Sequence, residues 1–140
     1  GNWNRGTQYG EDIIGDIKHG VRGWTDWNLL LNTHGGPNHA GNYVDSPIII
    51  DFDKKIFYKQ PMYYIMGHIS RFIRPGMISV VVNQNGNDND KIWIISVKDN
   101  AGNIVIVILN SDDKITFNIE LNDVRKGKLF LNIEPHSVYT

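Results

Sequence analysis

Apolar positions fall along the chain first at helical spacing and later at strand spacing. Tyr9, Ile13 and Ile17 stand four residues apart with Ile14 beside them, one face of an amphipathic helix within residues 1–20. Gly10 and Gly15 each cost about 1 kcal/mol relative to alanine, so this helix needs tertiary support. Gly20, after Lys18 and His19, suits its stop. Val21–Leu31 reads as a strand that carries Trp24, Asp26, Trp27 and Asn28 where a plain core strand would carry valine or isoleucine. Residues 32–45 are loop by composition, with Gly35-Gly36-Pro37 unable to continue a strand or a helix.

Val44–Phe52, with Pro47 and the run Ile48–Ile50, predicts a short buried strand or a strand-like return segment, and Asp51–Lys55 a turn. A second helix opens at Pro61, where Met62, Ile65, Met66, Ile69, Phe72 and Ile73 keep one apolar face and Pro75-Gly76 ends it. From Met77 the period changes to two. Met77–Val82, Ile92–Lys98, Ile104–Leu109, Ile115–Leu121, Lys128–Ile133 and His136–Tyr139 are strand candidates with the spacing of a sandwich. Turns are expected at Asn83–Asp90, which contains Asn85-Gly86, and hairpins at Asp99–Gly102 and Asp112-Asp113. Thr116, Asn118 and Glu120 alternate with Ile115, Phe117, Ile119 and Leu121, giving one wet and one dry face.

The paired tryptophans carry the candidate chemistry. A sugar ring offers an apolar C–H face and a rim of hydroxyls; an indole covers the first and donates its N–H to the second. Asp26 and Asn28 could accept from nearby hydroxyls. The same residues also fit a core in which Trp24 and Trp27 are large fillers and Asp26 a satisfied buried acceptor. The residues alone leave both readings open. His34 and His39 lack a third ligand at a defined spacing, so no metal site is expected. Met62 and Met66 read as core filler, and His68 as a structural histidine.

Several motifs in a fixed order narrow this choice. GWTDWNL, then GGPN, NYVDSPII and FYKQPMYYIMGHISRFI, together resemble the C-terminal portion of the glucosylceramidases, the acid β-glucosidase branch of glycoside hydrolase family 30. The resemblance runs from about Gly1 to Pro75 and continues more loosely to the end. It implies an α+β fragment: the last strand and helices of a (β/α)8 barrel over residues 1–75, then most of a β-sandwich over residues 76–140. Barrel enzymes place their sites at the C-terminal ends of the strands, so Val21–Asn28 becomes the expected last barrel strand. Trp27 then falls on the tryptophan that borders the glucose pocket and Asn42 on an asparagine of the same mouth. Trp24, Asp26 and Asn28 become pocket residues or a supporting layer. The family usually has tryptophan after GGPN; here His39 stands there.

By the same resemblance, hydrolysis is retaining, with two glutamates about 5–5.5 Å apart. The chain holds Glu11, Glu120 and Glu134, none at a family catalytic position, so no catalytic residue is expected here. A whole barrel needs about 250 residues and the chain has 140. Expected partners are therefore the missing N-terminal half of the same enzyme or a second copy, and the resemblance further implies a glucosylceramide-type glycolipid and a saposin-like activator. The compartment implied is lysosomal or extracellular. A different class of function, a non-catalytic β-sandwich module that binds carbohydrate or protein, is the alternative; a regulatory fragment of an inactive glycosidase ranks third.

Bulk properties change this picture little. Fourteen basic and 15 acidic residues give a net charge of −1, which argues against a nucleic-acid partner or an anionic-membrane surface. Cysteine is absent, which removes disulfides and thiol chemistry. No stretch approaches the ~20 apolar residues of a membrane span, and no charged start followed by an apolar run opens the chain as a signal would. No Asn-x-Ser/Thr sequon occurs. No metal or organic cofactor is implied.

Overall fold

Asn2 opens the first helix. Its extended backbone and its side chain, accepting from the Asn4 N–H at 3.0 Å, cap α1 (Trp3–Lys18). The cap lies well ahead of the apolar stripe, so the helix begins earlier than that stripe indicates. Lys18 in the last turn and Gly20 at φ 90° end it as the sequence reading expects. Ile13 and Ile14 are buried, together with Gly6, Thr7 and Gly10. A computed structural model describes residues 1–85 and 89–140, in two units, Gly1–Ser70 and Arg71–Thr140.

The first unit holds α1, a three-stranded sheet and all but the last two residues of α2 (Pro61–Phe72). Strand β1 (Leu30–Asn32) runs parallel to β2 (Ile48–Asp51), which pairs antiparallel with β3 (Ile56–Lys59). A parallel pair needs a long crossover, and residues 33–47 supply it. The strand expected over Val21–Leu31 is thus corrected to Leu30–Asn32. The described residues offer residues 21–29 no ladder; their side chains bond to α1 instead, and strand pairing begins only where Ile48 N–H reaches the Leu29 carbonyl at 3.1 Å. Strand β3 was not expected. Its four residues IFYK are all exposed and show no alternation to read. Asp51 shapes the intervening turn, accepting from the Lys54 N–H at 3.0 Å and pairing with its ammonium at 3.0 Å. Helix α2 starts at Pro61 and buries Met62, Ile65 and Ile69, three of the six expected stripe positions.

The second unit holds β4 (Ile78–Ser79), β5 (Ile92–Lys98), β6 (Ile104–Asn110), β7 (Phe117–Asp123), β8 (Gly127–Ile133) and β9 (Ser137–Tyr139). One sheet has the order β4-β5-β6-β9 and the other pairs β7 with β8, all antiparallel. Alternate residues of both sheets meet in one core. Ile94, Ile108 and Ile133 are buried, with Ile92, Ile106, Ile119, Leu121, Leu131 and Tyr139 packed on them. Asn118 and Glu120 lie on the wet side of β7, as the alternation predicts. The Asp99–Gly102 hairpin joins β5 to β6, but the turn at Asp112-Asp113 is no hairpin; it carries the chain from one sheet to the other. Fully buried Asn110 redirects it, donating to the carbonyls of Ile115, Ile133 and Glu134 at 2.8–3.0 Å and accepting from the Asp112 N–H. Part of the expected Asn83–Asp90 turn, residues 86–88, lies outside the described residues.

Candidate functional site

Residues 24–29, between α1 and β1, alternate strictly although they form no strand. Trp24, Asp26 and Asn28 are half-buried, while Thr25, Trp27 and Leu29 are exposed, the two-residue period of extended chain. The five expected site residues are therefore divided. Trp24, Asp26 and Asn28 share the inward side; Trp27 points the other way with 75% of its surface exposed.

Helix α1 grips the inward side at two places. The Tyr9 hydroxyl lies 3.1 Å from each carboxylate oxygen of Asp26, and Asp26 Oδ1 also accepts the Trp27 backbone N–H at 2.8 Å. One turn along the helix, Asp12 Oδ2 accepts the Trp24 indole N–H at 2.8 Å, and the Trp24 ring meets Tyr9 edge-to-face at 5.4 Å. Burial, then the Asp26 charge and its hydrogen bond, push the Tyr9 phenol up to about 12. Tyr9 therefore stays a neutral donor at any physiological pH. Sequence reasoning placed Tyr9 on a packing stripe by its ring and did not foresee the partner of its hydroxyl.

Two asparagines build the crossover loop. Asn32 Oδ1 accepts from the backbone N–H groups of His34 and Gly36 at 2.9 Å each. Gly35 at φ 77° is required between them, since a Cβ there would lie 2.8 Å from the Val44 carbonyl. The Gly36–Pro37 peptide is cis. Asn38 Oδ1 then accepts from Ala40 at 2.9 Å and Asn42 at 3.1 Å, while its Nδ2 donates to the Asn42 carbonyl. Asn42, expected at the mouth, is exposed with its backbone held on both sides. The return to β2 is locked by buried Gln60, whose Nε2 donates to Asp45 and to the Ser46 carbonyl. His34 and His39 are exposed, and among the described residues no group of three or more His, Cys, Asp or Glu could hold a metal. Neither Asn38 nor Gln60 was singled out from the sequence beyond the motifs containing them; GGPN and KQP were the available signal.

The segment thus carries one exposed aromatic, Trp27, on a backbone bonded to Asp26, and the crossover loop is braced by its own asparagines. Residues 1–73 match the glycosyl hydrolase family 30 TIM-barrel domain, and residues 78–140 match the glycosyl hydrolase family 30 beta sandwich domain. The chain belongs to glycosyl hydrolase family 30. Mouse lysosomal acid glucosylceramidase is 46% identical to this family 30 chain over 110 residues, covering 79% of the chain and 21% of the mouse protein. A Caenorhabditis elegans protein provisionally named glucosylceramidase 3 is 40% identical over 140 residues, all of this chain and 26% of that relative. Among solved structures, SrfJ from Salmonella typhimurium is similar with a TM-score of 0.87 at 29% identity, covering 97% of this chain and 29% of that one. The chain thus spans about a quarter of the length of these relatives. It is a TIM-barrel fragment joined to a β-sandwich domain, as the motif order predicts.

Proposed function

We propose that this family 30 chain is the C-terminal segment of a retaining β-glucosidase that hydrolyses the β-glucosidic bond of a glucosylceramide-type glycolipid. Its barrel part would end near Pro75, and its sandwich part would begin at Gly76. The observation that carries the reading is the Trp27 ring, 75% exposed on a backbone whose N–H is bonded to Asp26. Such a ring covers the C–H face of a glucose unit. Asn42 presents its amide to a hydroxyl at the entrance. Trp24, Asp26 and Asn28 stand behind as support.

The two catalytic glutamates belong to the rest of the enzyme. Strands β1–β3 contain no glutamate; Glu11 lies on α1, Glu120 pairs with Lys128 at 2.6 Å, and Glu134 accepts from Thr116 at 3.0 Å. The reading also requires a partner for the barrel part. Leu30, Ile48, Ile50, Ile56 and Phe57 line a shallow apolar concavity of about 400 Å³, a surface that the missing half would cover, or a second copy in its absence. Sphingolipid turnover in a lysosomal or extracellular setting, with a saposin-like activator presenting the lipid, completes the proposal.

The test combines the chain with the N-terminal half of the enzyme and measures hydrolysis of an aryl β-glucoside and of glucosylceramide. The complex should be active, the chain alone inactive, and Trp27→Ala should raise KM roughly tenfold or more, as expected for losing a stacked aromatic. A well-folded complex without activity would count against the proposal. Glucose binding by the chain alone would favour the sandwich-module alternative.

A further inference from the structure

Period-two exposure separates Trp27 from its neighbours, and the separation has a visible cause in α1. Asp26 cannot serve a sugar hydroxyl freely, because Tyr9 engages both of its oxygens at 3.1 Å and the Trp27 N–H takes one of them at 2.8 Å. Trp24 likewise has its only donor committed to Asp12 at 2.8 Å. Tyr9 and Asp12 lie three residues apart on the helix and therefore on one face, so two points on α1 fix two alternate residues of the extended segment.

We infer that Tyr9 and Asp12 are positioning residues of the sugar site: they tie Trp24 and Asp26 to α1 and thereby fix the outward aim of Trp27. This rests on the reading of Trp27 as the pocket rim. The single phenol proton faces both Asp26 oxygens at 3.1 Å, longer than a short charge-assisted bond, so its hold is on the orientation of the carboxylate. The carboxylate in turn sets the main chain at Trp27, since the N–H it accepts belongs to that residue. Losing the Tyr9 hydroxyl frees Asp26 to rotate, and the ring of Trp27 moves with its backbone. No reacting atom is touched, so the effect should fall on sugar binding rather than on the chemical step.

The experiment uses the active complex, or the full enzyme carrying this segment, and an aryl β-glucoside. Tyr9→Phe keeps the ring against Trp24 and removes only the hydroxyl. It should raise KM roughly three- to tenfold, the scale of one ordinary hydrogen bond lost, and change kcat less than about twofold. Asp12→Ala should raise KM too, and Asp12→Asn, which keeps an acceptor for the indole, should restore most of the loss. A lower Tm with unchanged KM in Tyr9→Phe would mean that the contacts only stabilise the fold, and would overturn the inference. Trp27→Ala separates the two levels. If it leaves KM unchanged, the rim reading itself is wrong; if it raises KM while Tyr9→Phe does not, the rim stands and the clamp falls. Should Tyr9→Phe fail to fold, the Asp12→Ala and Asp12→Asn pair decides on the same KM criterion.

Discussion

Asn38 uses both ends of its amide to hold the backbone of Asn42, accepting from its N–H and donating to its carbonyl. Alanine at this position removes those bonds and the one from Ala40, and leaves the loop held by Asn32 at its start and by Gln60 at its return. Asn38→Ala should therefore weaken β-glucoside binding several-fold and cost about 2 kcal/mol of stability, the scale of three largely exposed hydrogen bonds. Asn38→Asp keeps the acceptor and loses the donor, so it should fall between. KM and Tm of the two variants check this, and equal KM values for both variants and the parent would refute it. Side-chain chemistry of this kind was only half legible. Trp27 and Asn42 were named on the resemblance of motifs alone, and the Tyr9–Asp26 contact joins residues 17 apart in sequence and exists only because the segment after α1 folds back along it. Nothing in a period or a composition reports which way a phenol hydroxyl will turn.

Two helical glycines that look alike in sequence behave oppositely at the level of elements. A Cβ on Gly6 would lie 2.8 Å from the Cβ of Pro61 and 3.2 Å from its carbonyl carbon, so α1 and the start of α2 cross where only a glycine fits. A Cβ on Gly67 would meet nothing within 4 Å. Gly67→Ala should thus stabilise the protein by about 1 kcal/mol through helix propensity, while Gly6→Ala should destabilise it by about 1–3 kcal/mol through overpacking. Thermal or denaturant unfolding of the two variants gives the signs directly; matching signs would remove the argument. The elements themselves were readable wherever the pattern was local. Strand β5 matches its expected bounds of Ile92–Lys98, and α2 its expected start at Pro61. The errors came where pairing decides. Residues 24–29 alternate like a strand but have no ladder among the described residues, β3 pairs without alternating, and the turn at Asp112 separates two sheets, with buried Asn110 bonded across to Ile115, just ahead of β7, and to the end of β8.

The response of the whole molecule to acid follows from groups spread over both units. Asp51, Asp99, Asp112 and Asp123 are held below the ordinary carboxylate range. For Asp51, Asp112 and Asp123 the largest cause is a bond from the backbone N–H of Lys54, Lys114 and Arg125 respectively; for Asp99 it is the Asn103 side chain. Their unfolded forms bind protons more readily, so their stabilisation is complete above about pH 4 and is lost as pH falls through the lower folded values. Burial pulls the His68 imidazole down as well. Its stabilisation is complete above about pH 6.5, its unfolded value, and declines as pH falls through the folded one. Tyr9 acts at the other end: raised to about 12, its contribution holds below the ordinary phenol value of about 10 and fades as pH climbs through about 12. The Tm of the protein should therefore decline in two stages on acidification, a first below about pH 6.5 and a second below about pH 4. His68→Gln should flatten the first stage and leave the second in place. Four separate turns hold their carboxylates ionised through the first stage, so the fold should persist at mildly acidic pH. A Tm profile of His68→Gln that still descends between neutrality and pH 5 as steeply as the parent would show that this histidine does not govern the first stage.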